Sequence, residues 1–193
     1  MTLELDGTDP VHRVYLEADE VIREILEAHE TEGRTPSCKP GCAACCHQLV
    51  VATVAEANAA IAWTRSWPAE QRRALDERLA TWLSRTEPMR RAFQEAAGGD
   101  LEAAVERIAE TYWRERPACP FLVDAMCSIH PVRPLACRHH FSLSPPERCQ
   151  ADEPDGIDQM AELDDALFEA SDTLPEEATE IGIFPELVAV LRD

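Results

Sequence analysis

Four thiols fall within nine positions in the stretch Cys38-Lys-Pro-Gly-Cys42-Ala-Ala-Cys45-Cys46-His47. Four more, Cys119, Cys127, Cys137 and Cys149, are spread through a later stretch and interleaved with His130, His139 and His140. Thiolates select zinc, copper(I) and iron–sulfur clusters over magnesium or calcium, so these residues read as a metal-binding set. Cys42-Ala-Ala-Cys45 is a Cys-x-x-Cys turn, the spacing that brings two sulfurs onto one ion without distortion. Gly41 permits the tight turn, and Cys38 can close back on the same site. Cys46 adjoins Cys45, so their side chains diverge. One of the two serves a second ion or stays free for thiol exchange.

Four cysteines this close in sequence cannot all surround one tetrahedral ion, so the second group must complete the coordination. The expected site staples loop 38–47 to loop 119–149, with all eight cysteines as metal ligands. Eight sulfurs allow two four-sulfur sites, or one iron–sulfur cluster with thiols to spare, and spacing does not choose between them. With so many sulfurs at hand, His47, His139 and His140 are read as hydrogen-bonding neighbours of the ligands or as solvent-facing groups. Arg133 and Arg138 flank Cys137. They offset thiolate charge, contact an anion, or pair with acids of the C-terminal half. No Ser-His-Asp constellation, phosphate loop or dinucleotide-binding glycine pattern is visible. Any catalysis has to come from the metal.

The ordered pattern Cys38-x3-Cys42-x2-Cys45-Cys46-His47, then Cys119-Pro-Phe-Leu, then Cys127-Ser-Ile-x3-Arg133-Pro134-Leu135-Ala136-Cys137-Arg138, resembles the YkgJ-like cysteine-cluster family. The likeness spans residues 38 to 149 and rests on both halves in order. The family pattern is Cys-x2-Cys-x2-Cys-Cys, whereas the first gap here is three residues. The resemblance implies chelation of zinc or iron. A similar cluster occurs in some flagellin lysine methylases, which adds protein modification as a role that the resemblance allows.

Helices must position these loops. Asp9-Pro10 supplies an N-cap and a proline at the first helical position, and Val11, Val14, Tyr15, Ala18, Val21, Ile22, Ile25 and Leu26 recur at helical spacing up to Gly33. Thr53-Val-Ala-Glu56 is a capping box for a second helix ending near Trp67. A third helix after Pro68 carries Leu75, Leu79, Trp82 and Leu83. Pro88 is expected to break it, leaving a short segment with Met89 and Phe93 before Gly98-Gly99. Asp100 caps a fourth helix with Leu101, Ala104, Val105, Ile108 and Tyr112 on one face, ended by Pro117. Trp63, Trp67, Trp82 and Trp113 sit at positions expected to pack rather than to cage a ligand. Residues 119–149 contain Pro120, Pro131, Pro134, Pro145 and Pro146 and no helical period, so they form irregular structure, and a loop this long needs an organiser. Ile157, Met160, Leu163 and Leu167 suggest a further helix, and Pro185 starts a short last one. No strand pattern is convincing, although Leu49-Val50-Val51 could pair briefly with another segment.

The 193 residues suffice for one core, and the reading is a single domain over 1–193: a cysteine-cluster core at 38–149 and an acidic helical segment at 150–193. The fold class is mainly α, with two cysteine-rich irregular loops joined by metal. The net charge of -19 disfavours nucleic acid and anionic lipid as partners. Much of that charge comes late: residues 147–193 hold fifteen Asp or Glu against Arg148 and Arg192. This excess reads as a solvated face and tail rather than a docking surface. Met1-Thr-Leu-Glu-Leu-Asp does not resemble a secretory signal, and no apolar run approaches the ~18–20 residues of a membrane span. A cytoplasmic location is therefore expected, and in a reducing compartment the cysteines are ligands rather than disulfides. The primary reading is a protein chelating zinc or iron. The alternative is an iron–sulfur redox or protein-modifying enzyme.

Overall fold

The computed structural model describes residues 5–97, 101–150, 157–171, 173–174 and 180–192. Helix α1, Pro10–Thr31, starts where Asp9 accepts from Val11 and His12 amides at 2.9 and 3.0 Å. It buries Val11, Val14, Tyr15, Ala18 and Ile22, while Val21 stays exposed. Gly33 follows the helix at φ +75°, a left-handed conformation that glycine adopts without a Cβ clash. A 3-10 turn, Ala44–His47, holds Cys45 and Cys46. Strand β1, Val51–Thr53, leads directly into α2, Val54–Arg65, through the expected capping box.

Helix α3 runs Ala69–Ala97 without ending at Pro88, contrary to the expected break. Pro88 is exposed, and the one helical bond it withholds is that to the Ser84 carbonyl, while neighbouring carbonyls gain side-chain donors. Thr86 Oγ1 donates to the Trp82 carbonyl at 2.8 Å, and Arg90 Nη2 to that of Leu83 at 3.1 Å. Trp82, Met89 and Phe93 then stay on one stripe and pack with Ile108 and Tyr112 of α4, Leu101–Glu115. Burying those large side chains offsets one missing hydrogen bond, which is why the helix continues. The expected Gly98-Gly99 break and Asp100 cap lie outside the described residues, as do the side chains of Leu101 and Ala104.

After α4 the chain is irregular, as expected, but it also contains regular pieces too short to show a period. Strands β2, Leu122–Val123, and β3, Met126–Cys127, form an antiparallel hairpin. Its turn carries Asp124 and Ala125 at φ 49° and 59°. A 3-10 turn, His130–Val132, and the one-turn helix α5, Leu135–Arg138, follow. Helix α6 spans Ala161–Ser171, strand β4 Ile181–Ile183 and helix α7 Phe184–Arg192. Strand β1 pairs antiparallel with β4, in register Val51 with Ile183 and Thr53 with Ile181. The expected brief pairing at residues 49–51 thus falls mostly one or two positions later.

The fold is mainly α. Its principal buried cluster draws Tyr15, Ala60, Ile61, Leu75, Phe121, Ile129, Val132, Met160, Leu163, Phe184 and Val188 from both ends of the chain. Trp82 is buried, Trp63 and Trp67 pack against this cluster, and Trp113 lies under the Arg116 guanidinium at 4.8 Å. Among the described residues no helix is long and apolar enough to cross a membrane. Much of the acidic segment, including residues 151–156 and 175–179, lies outside the described residues.

Candidate metal centre

The two cysteine groups are held against each other by backbone. The Cys119 amide donates to the Cys46 carbonyl at 2.8 Å, and His47 Nδ1 lies 3.2 Å from the Arg116 carbonyl. On the other side, the Ser37 amide and hydroxyl donate to the carbonyls of Ser142 and Ser144 at 2.8 and 2.5 Å. Next to it the Cys38 sulfur accepts from the Ser142 amide at 3.4 Å and lies 3.8 Å from the His140 carbonyl.

Two buried ionic groups set the approach of the second half. Glu56 is 3 % exposed. One of its oxygens completes the α2 capping box with Thr53, while the other accepts from the Leu135 amide at 2.8 Å. A single carboxylate therefore joins the start of α2 to the start of α5, which carries Cys137. Arg138, 1 % exposed, donates to Asp19 Oδ1 at 2.5 Å and to the Pro131 and Arg133 carbonyls at 2.6 and 3.1 Å. Its guanidinium also lies 4.2 Å from the centre of the Tyr15 ring. Of the sequence readings for Arg138, ion pairing holds, but its acid comes from α1 rather than the C-terminal half.

Between these supports lies a cavity of ≈ 400 Å³ lined by Cys38, Cys42, Cys45, Cys46, Cys119, Cys127 and Cys137. Seven thiols that are 99 residues apart at the extremes thus face one space. Cys149 does not line it; its 3-10 turn, Arg148–Gln150, packs near the turn Ala44–His47. All eight cysteines are partly buried and free of disulfides. Phe121, Phe141, Phe184, Val50 and Ile129 supply apolar wall. Among the described residues, no three Cys, His, Asp or Glu side chains already stand together tightly enough to hold an ion.

Burial and mutual repulsion set the electrostatics of these thiols. Burial pushes Cys119 up to about 12 and raises Cys38, Cys127 and Cys137, with neighbouring cysteines adding to each shift. Cys45 moves the other way, down to about 7, because the Cys46 thiol hydrogen-bonds to its sulfur. The same bond pushes Cys46 strongly upward. Arg133 lines the cavity, helps lower Cys45 and offsets part of the rise at Cys127 and Cys137.

The histidines occupy three settings. His47 contacts backbone, as described. His139 Nδ1 pairs with Asp164 on α6. His140 lines the cavity beside His139, ring centres 4.3 Å apart, and burial lowers it to about 4. His130 also lines the cavity and contacts Arg133 through Nε2. Two features were not singled out from sequence: Lys39 in the lining, the chain's one lysine, and the second bond of Glu56 behind it. Sole occurrence next to Cys38 was a signal for the former. The capping box hid the latter.

The site is thus a cavity lined by cysteines of two mainly irregular segments and braced by a helical frame. A family model described as "CxxCxxCC: Putative zinc- or iron-chelating domain" matches residues 37–163, and the chain belongs to that family. No curated protein and no solved structure matches it.

Proposed function

We propose that this protein chelates zinc or iron through cysteine thiolates that face the shared cavity. The observation that carries the reading is the convergence of seven thiols from 38–46 and 119–137 on one space. Cys38, Cys42, Cys45, Cys46, Cys119, Cys127 and Cys137 are the ligand candidates. Cys149 is an outer one that reaches the first turn through its packing. Binding draws the side chains inward and displaces thiol protons, so bound metal adds to the stability of the loops it joins. The chain acts as one domain, in a reducing compartment such as the cytoplasm, where thiols persist. Elemental analysis of anaerobically purified protein tests this. Near-stoichiometric zinc or iron is expected, and absence of both, with no uptake on reconstitution, contradicts it.

A second reading is an iron–sulfur centre with redox or protein-modifying activity. It is favoured by the thiol number, which exceeds the four of a closed zinc site, and by the adjacent Cys45–Cys46 pair. A cluster would supply electron transfer, while Cys46 or another spare thiol would remain available for exchange. Brown protein whose visible absorbance bleaches with dithionite supports this reading. A colourless zinc protein removes it.

A further inference from the structure

The cavity differs from the rest of the molecule in charge. The chain carries 37 Asp and Glu against 18 Lys and Arg, yet no Asp or Glu lines the cavity among the described residues. Its charged lining is basic: Lys39, Arg133 and Arg138, with His130 and His140. Arg138 is neutralised by Asp19. Arg133 and Lys39 make no ion pair with a described carboxylate. Arg133 is half-buried and donates to the ring nitrogen and the carbonyl of His130.

We propose that Arg133 and Lys39 are the built-in counter-charge of the thiolate–metal assembly, with Arg133 as its positioning residue. The inference rests on the chelating function above. Four thiolates on one divalent ion leave two negative charges, and these two side chains supply two positive ones. Carboxylates are absent from the lining because each would add repulsion to that excess in a partly apolar space, where charges are poorly screened. The roles of the two cations differ. Arg133 projects from the stretch between Cys127 and Cys137 and presents a fork of N–H donors, suited to fixed hydrogen bonds to sulfur. Lys39 stands exposed at the rim between Cys38 and Pro40, where salt screens it. Both charges stabilise the bound thiolates and also attract anionic chelators, so equilibrium affinity is read alongside chelator-driven release.

The test is zinc affinity and chelator-driven zinc release, measured on the full chain for wild type, R133Q, R133K and K39Q. Loss of a charged hydrogen bond predicts that R133Q binds zinc about ten- to a hundred-fold more weakly. R133K should recover part of that loss because it keeps the charge without the fork. K39Q should weaken binding by about fivefold at most, and its effect should fade in high salt. Equal affinity in R133Q and wild type overturns the proposal, and so does R133K behaving like R133Q with K39Q unchanged. Far-ultraviolet circular dichroism and denaturant unfolding of each zinc-free variant separate misfolding from charge loss. If R133Q fails to fold, the salt-dependent loss in K39Q decides the matter. Failure of wild type to bind zinc, iron or cobalt counts against the chelating function instead.

Discussion

Cys45 differs from Cys38, Cys119, Cys127 and Cys137 in the direction of its shift, because the neighbouring Cys46 thiol outweighs its burial. With a value near 7 rather than the ordinary 9, it is more ionised at neutral pH than Cys38, Cys119, Cys127 or Cys137, and so more nucleophilic. In zinc-free protein, iodoacetamide labelling followed by mass spectrometry should find Cys45 modified first, with a rate rising through about pH 7. Metal should protect it. Preferential labelling of Cys119 or Cys137 would contradict the assignment, since burial holds both protonated. Serine keeps the volume of cysteine but loses the soft thiolate. C45S and C137S should therefore lose at least about tenfold in metal affinity, as losses of ligand-shell groups do, while C149S, outside the cavity, should retain its metal. Residue type and spacing grouped eight thiols, of which seven line the cavity and Cys149 does not. The exclusion of carboxylates was not, because a cavity wall gathers side chains from segments whose order in the chain says nothing of their lining.

At the scale of elements, caps announced the helices that the sequence could place. Asp9-Pro10 and Thr53 with Glu56 are local signals, and both helices start where those residues act. Pro88 misled for the complementary reason: the local rule ignores α4, which covers the Trp82, Met89 and Phe93 stripe. The β1–β4 pairing joins segments of three residues about 130 positions apart, too short and too distant to leave a period. Glu56 joins two scales, as a cap for α2 and as the acceptor for the first amide of α5. E56A should leave the Leu135 amide and Thr53 without their partner and cost about 1–3 kcal/mol, read as a lowered midpoint in urea. The proline-rich segment 119–149 has few regular hydrogen bonds of its own, so stripping the metal should expose it to protease while most helical signal persists. Equal protease resistance with and without metal would remove the staple.

For the whole molecule, the thiol shifts link metal, protons and stability. The zinc-free fold keeps Cys119 neutral up to about 12, while the unfolded chain ionises its thiols near 9. Above about pH 9 the unfolded state binds fewer protons, so stability present below that value falls as pH rises toward 12. Cys38, Cys127 and Cys137 shift in the same direction and add to the loss. Cys45 works oppositely, gaining stability from about 7 to 9, so the fall should begin above that range. Denaturant midpoints across pH 7–11 check this in zinc-free protein. Bound metal should remove the alkaline fall, because the folded thiols are then already ionised, and its uptake should release protons measurable in weakly buffered solution. The central claim concerns which atoms take the metal, and X-ray absorption at the metal edge of the loaded full chain reads them directly. A first shell dominated by sulfur, at roughly 2.3 Å for zinc, is the predicted result. A shell of nitrogen and oxygen at roughly 2.0–2.1 Å, with no sulfur contribution, would contradict a thiolate centre.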